Sequence, residues 1–116
     1  ALAYPERMET PAEKLDLGRI ARLDFEVPDA DRFPALRLAR AALEAGGAQA
    51  IVLNAANEVA VAAFLAEHIG FLEIARLVEE AVTRSDASAP RSIAEVIDID
   101  AATREKVSHM MRALPA

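Results

Sequence analysis

The sequence predicts an all-α fold, a small bundle of about four helices that follows an extended N-terminal arm. The 116 residues are 53% hydrophobic but only 4% aromatic and contain no Trp, and such an aliphatic composition favours helices over an aromatic-rich β-sandwich. Three of the six prolines, Pro5, Pro11 and Pro28, lie near the N-terminus, where each biases the preceding residue away from helix. We therefore divide the chain into a linker arm, residues 1–30, and a C-terminal helical bundle domain, residues 31–116.

The arm contains one candidate β-strand, the stretch RLDFEV at residues 22–27. Leu23, Phe25 and Val27 alternate with charged residues, which is the period-2 pattern of a half-buried strand. One short strand is not stable alone. Its pairing edge is therefore expected in polypeptide outside this chain or in another copy of it.

The first bundle helix has a start signal and a stop signal. Asp31 is the predicted N-cap, and Pro34 is tolerated in the first turn because an amide proton there has no acceptor within the helix. The pair Gly46 and Gly47 predicts the end of this helix, since glycine readily adopts the left-handed conformation that ends helices.

The remaining helices are predicted from apolar spacing and capping signals. Ser92 with Glu95 matches a capping box, and Asp100 is the predicted N-cap of a separate last helix. Asp98 and Asp100 also form a D-x-D pair, but the cap explains Asp100 without a metal ion. The expected helices span about residues 49–68, 71–84, 92–97 and 100–112.

Charge and composition exclude several function classes. The net charge of −6, from 19 acidic and 13 basic residues, repels a phosphate backbone, so we expect no nucleic-acid partner. Cysteine is absent, which excludes disulfides and thiolate chemistry. The longest apolar stretch is interrupted by Glu58 and falls short of the roughly 18 residues of a membrane span, so we expect no membrane association.

Three polar residues interrupt the apolar helix VLNAANEVAVAAFLA, and on a helical wheel they lie within one 100° arc. They are either ligand or catalytic groups, or a buried hydrogen-bonding network. Burying an unpaired amide costs about 1 to 3 kcal/mol, and a catalytic carboxylate usually needs a second acid, a base or a metal, none of which is visible here. These two arguments favour a structural polar network in which the nearest arginines pair with the three polar residues. Its predicted members are Asn54, Asn57, Glu58, Arg32 and Arg37.

Several motifs in succession resemble a known enzyme family. In order along the chain they are ALAYPER, LDF, PDADRFPALRLA, LNAANEVAVAAFL and IGFLEIA. This succession resembles the C-terminal end of the 1-deoxy-D-xylulose 5-phosphate reductoisomerase family, the NADPH-dependent oxidoreductases of the non-mevalonate pathway of isoprenoid biosynthesis.

The resemblance implies a supporting role for this part of such an enzyme. Family members have a nucleotide-binding domain, a central domain with acidic metal ligands and a substrate-phosphate site, a linker and a helical bundle, and they form homodimers. The chain resembles only the linker and the bundle. We therefore expect a C-terminal fragment that is inactive alone and contains no catalytic, cofactor-binding or metal-binding residue. NADPH and a divalent metal, Mg or Mn, would bind to the missing domains of the parent enzyme, in a bacterial cytoplasm or a plastid.

Two other interpretations rest on the same composition. In the first, the chain is a stand-alone helical interaction module whose acidic surface and apolar arm bind a partner protein. In the second, it is a small acidic acyl-carrier-like domain. That class needs a modifiable Ser at a helix start in an Asp-Ser-Leu setting, which none of the serines here has.

Overall fold

The computed structural model describes residues 4–6 and 8–113. Within these residues the chain forms five helices and no strand, which confirms the all-α class. Residues 1–3 and 7 of the predicted arm, and 114–116 of the predicted bundle domain, lie outside the described residues. In chain order the helices are α1 Leu17–Ile20, α2 Ala35–Ala45, α3 Gln49–Leu65, α4 Phe71–Thr83 and α5 Ile93–Arg112.

Helix α3 is the centre of the bundle and contacts α2, α4 and α5. It is apolar on nearly all sides, and four of its alanines are buried, which lets the neighbouring helices approach closely. Leu77 of α4 and Val107 of α5 are the largest fully buried side chains and pack around it. A helix with apolar residues all round its circumference belongs in the interior of a bundle.

The start of α2 differs from the prediction. Pro34 is its N-cap residue, and Asp31 lies in the preceding turn, so the predicted N-cap at Asp31 is wrong. The Oδ1 atom of Asp29 instead accepts hydrogen bonds from the backbone amides of Asp31, at 3.0 Å, and Arg32, at 2.9 Å. This turn ends before Pro34, which disfavours helical conformation in the residue before it.

The predicted glycine stop of α2 is confirmed. Gly46 has φ 67° and ψ −149°, and its amide donates to the carbonyl of Ala42 at 3.1 Å. Gly47 also has a positive φ, 59°. Side-chain-bearing residues rarely adopt the Gly46 conformation, so glycine is needed at this position.

The last two predicted helices are a single helix, α5. Ser92 Oγ accepts from the Glu95 amide at 3.2 Å, as the capping box predicts, while Glu95 Oε2 accepts from the Arg91 amide at 2.6 Å. Asp100 lies inside α5, so its predicted capping role is wrong. No Gly or Pro occurs between the ends of α5, and the helix therefore continues through the aspartates.

The arm does not pack on the bundle. Helix α1 contacts none of the other helices among the described residues, and the radius of gyration, 18.6 Å, exceeds the roughly 13 Å of a compact domain of this length. Residues 22–27 form no strand in the described chain, which has no sheet edge to pair with them. The strand was expected to need a partner outside this chain, so it stays a prediction.

Candidate functional site

The three polar residues of α3 lie on the surface. Asn54, Asn57 and Glu58 are all exposed, which contradicts the expected buried network. Glu58 Oε1 accepts a hydrogen bond from Asn54 Nδ2 at 3.1 Å, and Glu58 Oε2 accepts from Arg104 Nη2 at 2.7 Å. Glu58 therefore ties α3 to α5.

Arg104 is the centre of this polar cluster, which consists of Asn54, Glu58, Asp100 and Arg104. Its Nε donates to Asp100 Oδ2 at 2.6 Å and its Nη2 donates to Asp100 Oδ1 at 3.2 Å. One guanidinium thus forms a forked pair with a carboxylate on its own helix and reaches a second carboxylate on α3. Planar guanidinium groups suit such multiple pairing better than lysine does.

The polar cluster shifts the titration of its charged members. The hydrogen bond from Arg104, followed by the one from Asn54, lowers the pKa of Glu58. The hydrogen bond from Arg104 also lowers the pKa of Asp100, and these bonds raise the pKa of Arg104 itself. All three groups are therefore charged at neutral pH. The carboxylates accept hydrogen bonds from a permanent cation, which makes Glu58 a poor general base.

The two arginines predicted as partners of Glu58 lie elsewhere. Arg37 Nη2 donates to Glu79 Oε1 at 2.8 Å and so joins α2 to α4. The guanidinium of Arg32 lies 5.3 Å from the centroid of the Phe33 ring. The structure brings neither arginine to Glu58, because the carboxylate of Glu58 faces α5. The actual partner of Glu58 is Arg104. One signal in the sequence points to it: Asp100 and Arg104 are four residues apart, the spacing of a charge pair on one helix face.

Asn57 lines a different feature, an apolar groove of about 180 Å³ between α2, α3 and α4. Its walls include Phe33 and Phe71, residues that remain 53% and 66% exposed. Phe71 also makes an edge-to-face contact with Phe64, with ring centroids 5.7 Å apart. The groove offers few polar groups, so it is suited to apolar contact and not to acid–base chemistry. The complete lining is Arg32, Phe33, Pro34, Ala35, Leu38, Leu53, Asn57, Phe71, Leu72, Ile74, Ala75 and Val78.

The part of the chain that the structure describes contains no candidate metal site. Residues 4–6 and 8–113 contain no group of three His, Cys, Asp or Glu side chains that could hold a metal ion. Asp98 lines a pocket between α3, α4 and α5, together with Asp86 and Lys106. The Lys106 ammonium there donates to the Arg84 carbonyl at 2.9 Å. None of the five helices is long and apolar enough to cross a membrane, as far as the described residues extend.

Residues 1–106 match the family model of the DXP reductoisomerase C-terminal domain. The chain belongs to this family. The 1-deoxy-D-xylulose 5-phosphate reductoisomerase of Zymomonas mobilis is 50% identical over 115 residues, which are 99% of this chain and 30% of that protein. The enzyme of the same name from Chlorobium chlorochromatii is 53% identical over 105 residues, which are 90% of this chain and 28% of that protein.

Solved structures of reductoisomerases have the same fold. The Z. mobilis enzyme in complex with NADPH superposes with a TM-score of 0.87 at 49% identity, covering 97% of this chain and 30% of that one. A DOX-P reductoisomerase in complex with NADPH, fosmidomycin and magnesium superposes with a TM-score of 0.80 at 34% identity, covering 96% and 29%. The chain therefore spans about 30% of the length of the reductoisomerases it matches.

Proposed function

We propose that this chain acts as the C-terminal linker and helical domain of a 1-deoxy-D-xylulose 5-phosphate reductoisomerase. Such an enzyme rearranges its substrate and reduces it with NADPH to 2-C-methyl-D-erythritol 4-phosphate in isoprenoid biosynthesis. The observation that carries the proposal is the family match over residues 1–106, combined with relatives of which the chain covers only 30%.

The proposed role within the enzyme is structural support. The charged groups of the polar cluster are already paired with one another, at 2.7 Å between Arg104 and Glu58 and 2.6 Å between Arg104 and Asp100. Such groups fasten two helices together and are not free to move protons during a reaction. NADPH and a divalent metal, Mg or Mn, would be bound by the catalytic and nucleotide-binding domains of the parent enzyme.

The division of the chain into an arm and a bundle is part of this proposal. Residues 1–30 would be the arm that reaches the other domains, and residues 31–116 would be the bundle. The parent enzyme would be a homodimer in a bacterial cytoplasm or a plastid. Its remaining domains are the partners we propose for the exposed apolar side chains of the arm, which include Leu23, Phe25 and Val27.

A domain replacement tests the proposal. In the Z. mobilis reductoisomerase, the matched segment is replaced by this chain, and NADPH oxidation dependent on 1-deoxy-D-xylulose 5-phosphate is measured. The chimera is expected to turn over the substrate, whereas neither this chain alone nor the Z. mobilis enzyme without its matched segment is expected to do so.

Two results would overturn the proposal. Substrate-dependent NADPH oxidation by this chain alone would place the active site within it. A chimera that folds but does not turn over substrate would show that the chain cannot replace the corresponding domain, and would favour a separate helical interaction module.

A further inference from the structure

The arm has an unpaired segment with the two-faced pattern of an edge strand. We infer that residues 22–27 pair, as the terminal strand, with the edge of a β-sheet in the remaining part of a reductoisomerase chain. Leu23, Phe25 and Val27 would face the apolar layer beneath that sheet. This inference rests on the proposed function, because the sheet belongs to the polypeptide that the domain would accompany.

Two charged side chains of the segment, Arg22 and Asp24, already lie as they would in a strand. Arg22 Nε is 3.0 Å from Asp24 Oδ1, and Arg22 Nη2 donates to Asp24 Oδ2 at 3.1 Å. A two-point contact between residues i and i+2 places both side chains on one side of the backbone, as in a β-strand. The apolar side chains occupy the alternate positions, and Leu23, Phe25 and Val27 are 57%, 86% and 92% exposed.

The backbone of the segment is also available for pairing. Residues 21–29 lie in neither helix nor strand. Within the described residues, the amides of residues 23–27 donate to no backbone acceptor. A segment outside helix and strand, with free amides and carbonyls and alternating apolar residues, is suited to strand addition. In that mode of binding, main-chain hydrogen bonds supply affinity and alternate side chains enter apolar pockets.

The charged face and the following proline fit the last strand of a sheet. Arg22, Asp24 and Glu26 would stay in water, and charged side chains on an outer strand discourage further strands from adding. Pro28 follows directly and has no amide proton, so the ladder of hydrogen bonds would end there. The segment would thus be one short strand of about six residues, a common strand length.

The receiving sheet is expected in the rest of the enzyme and not in a second copy of the arm. Two arms paired with each other would form an isolated two-stranded ribbon, which is marginally stable in water. The described residues of this chain offer no strand of their own. Most of the Z. mobilis relative lies outside the match, and its structure was solved with NADPH. Dinucleotides are commonly bound by folds with a large open sheet, which has two edges.

Amide hydrogen exchange of the Z. mobilis chimera tests the inference. Exchange of residues 22–27 is measured by mass spectrometry in the chimera and in the isolated 116-residue chain. In the chimera these amides are expected to exchange about 100-fold or more slowly than in the isolated chain, as amides in a stable ladder do. Unprotected amides in an active chimera would overturn the inference while leaving the proposed function standing. An inactive chimera would instead count against the proposed function.

Two matched substitutions separate the two faces of the strand. Phe25→Asp in the chimera places a charge on the apolar face and is expected to abolish the protection. Glu26→Lys changes charge on the solvent face and is expected to preserve it. If both substitutions change the amide protection equally, the assignment of the apolar and solvent faces is contradicted. If the amides of the isolated chain become protected as its concentration rises, the arms of two chains pair with each other and the inference is overturned. The unsubstituted chimera decides the main question even if Phe25→Asp prevents folding.

Discussion

Leu77 offers the sharpest test of the bundle packing. Its side chain is 2% exposed, in the core between α3, α4 and α5, while Leu72 on the same helix is 72% exposed. Leu77→Ala and Leu72→Ala make the same chemical change on α4. The change in helix propensity from Leu to Ala is therefore the same in both variants. The difference between their losses of unfolding free energy reports core packing.

The expected loss follows from the atoms removed. Leu→Ala deletes three carbons, each worth about 0.8 kcal/mol of burial. The cavity left behind adds to this, and buried Leu→Ala changes generally cost about 2 to 5 kcal/mol. We expect Leu77→Ala to lower the free energy of unfolding by about 3 to 4 kcal/mol, a large part of the roughly 5 to 15 kcal/mol typical of a domain. The exposed Leu72→Ala should stay within about 0.5 kcal/mol of the parent chain.

Urea unfolding followed by far-ultraviolet circular dichroism measures both variants. A pure stability change lowers the midpoint and leaves the slope unchanged, and at about 4 °C per kcal/mol the melting temperature of Leu77→Ala should fall by roughly 12 to 16 °C. Equal losses for the two variants, or a loss below about 1 kcal/mol for Leu77→Ala, would refute the core described above.

Two further perturbations test the helix ends and the polar cluster. Gly46→Ala should lower the free energy of unfolding by about 1 to 3 kcal/mol, because of the φ and ψ angles there and not because of crowding, since an added Cβ meets nothing within 4 Å. Gly70→Ala, at φ −77°, should cost much less, and equal effects in urea unfolding would contradict the explanation. Arg104 lowers the pKa of both Glu58 and Asp100. The ion pairs of Arg104 should therefore stabilise the folded chain fully at neutral pH, and this stabilisation should be lost as the pH falls below about 4. The difference in melting temperature between the parent chain and Arg104→Met should therefore narrow from pH 7 to pH 3, and an unchanged difference would argue against these ion pairs.

The helix ends that could be predicted are those with a local cause. Gly46 stops α2 through its backbone angles, and Ser92 starts α5 through a hydrogen bond to a residue three positions away. Both interactions are visible in the sequence. The break predicted at Asp100 was wrong because a capping residue also tolerates a helix interior when its side chain finds a partner, here the guanidinium one turn later.

The polar residues of α3 show where a helical wheel stops being informative. The wheel places Asn54 and Glu58 on one side, and they do bond to each other. Which way that side faces depends on the neighbouring helices, and the decisive partner, Arg104, is 46 residues away in sequence. Because α3 is apolar almost all round, its own sequence gives no clear direction towards water.

Helix α3 also determines when the bundle can form during synthesis. Its buried alanines need α5 on one side, and Val107 of α5, fully buried against the core, is synthesised after the whole of α3. Until Val107 emerges from the ribosome, the nascent chain exposes the apolar surface of α3, to which other proteins can bind. Closure of this domain therefore has to wait until α5 has been synthesised as far as Val107.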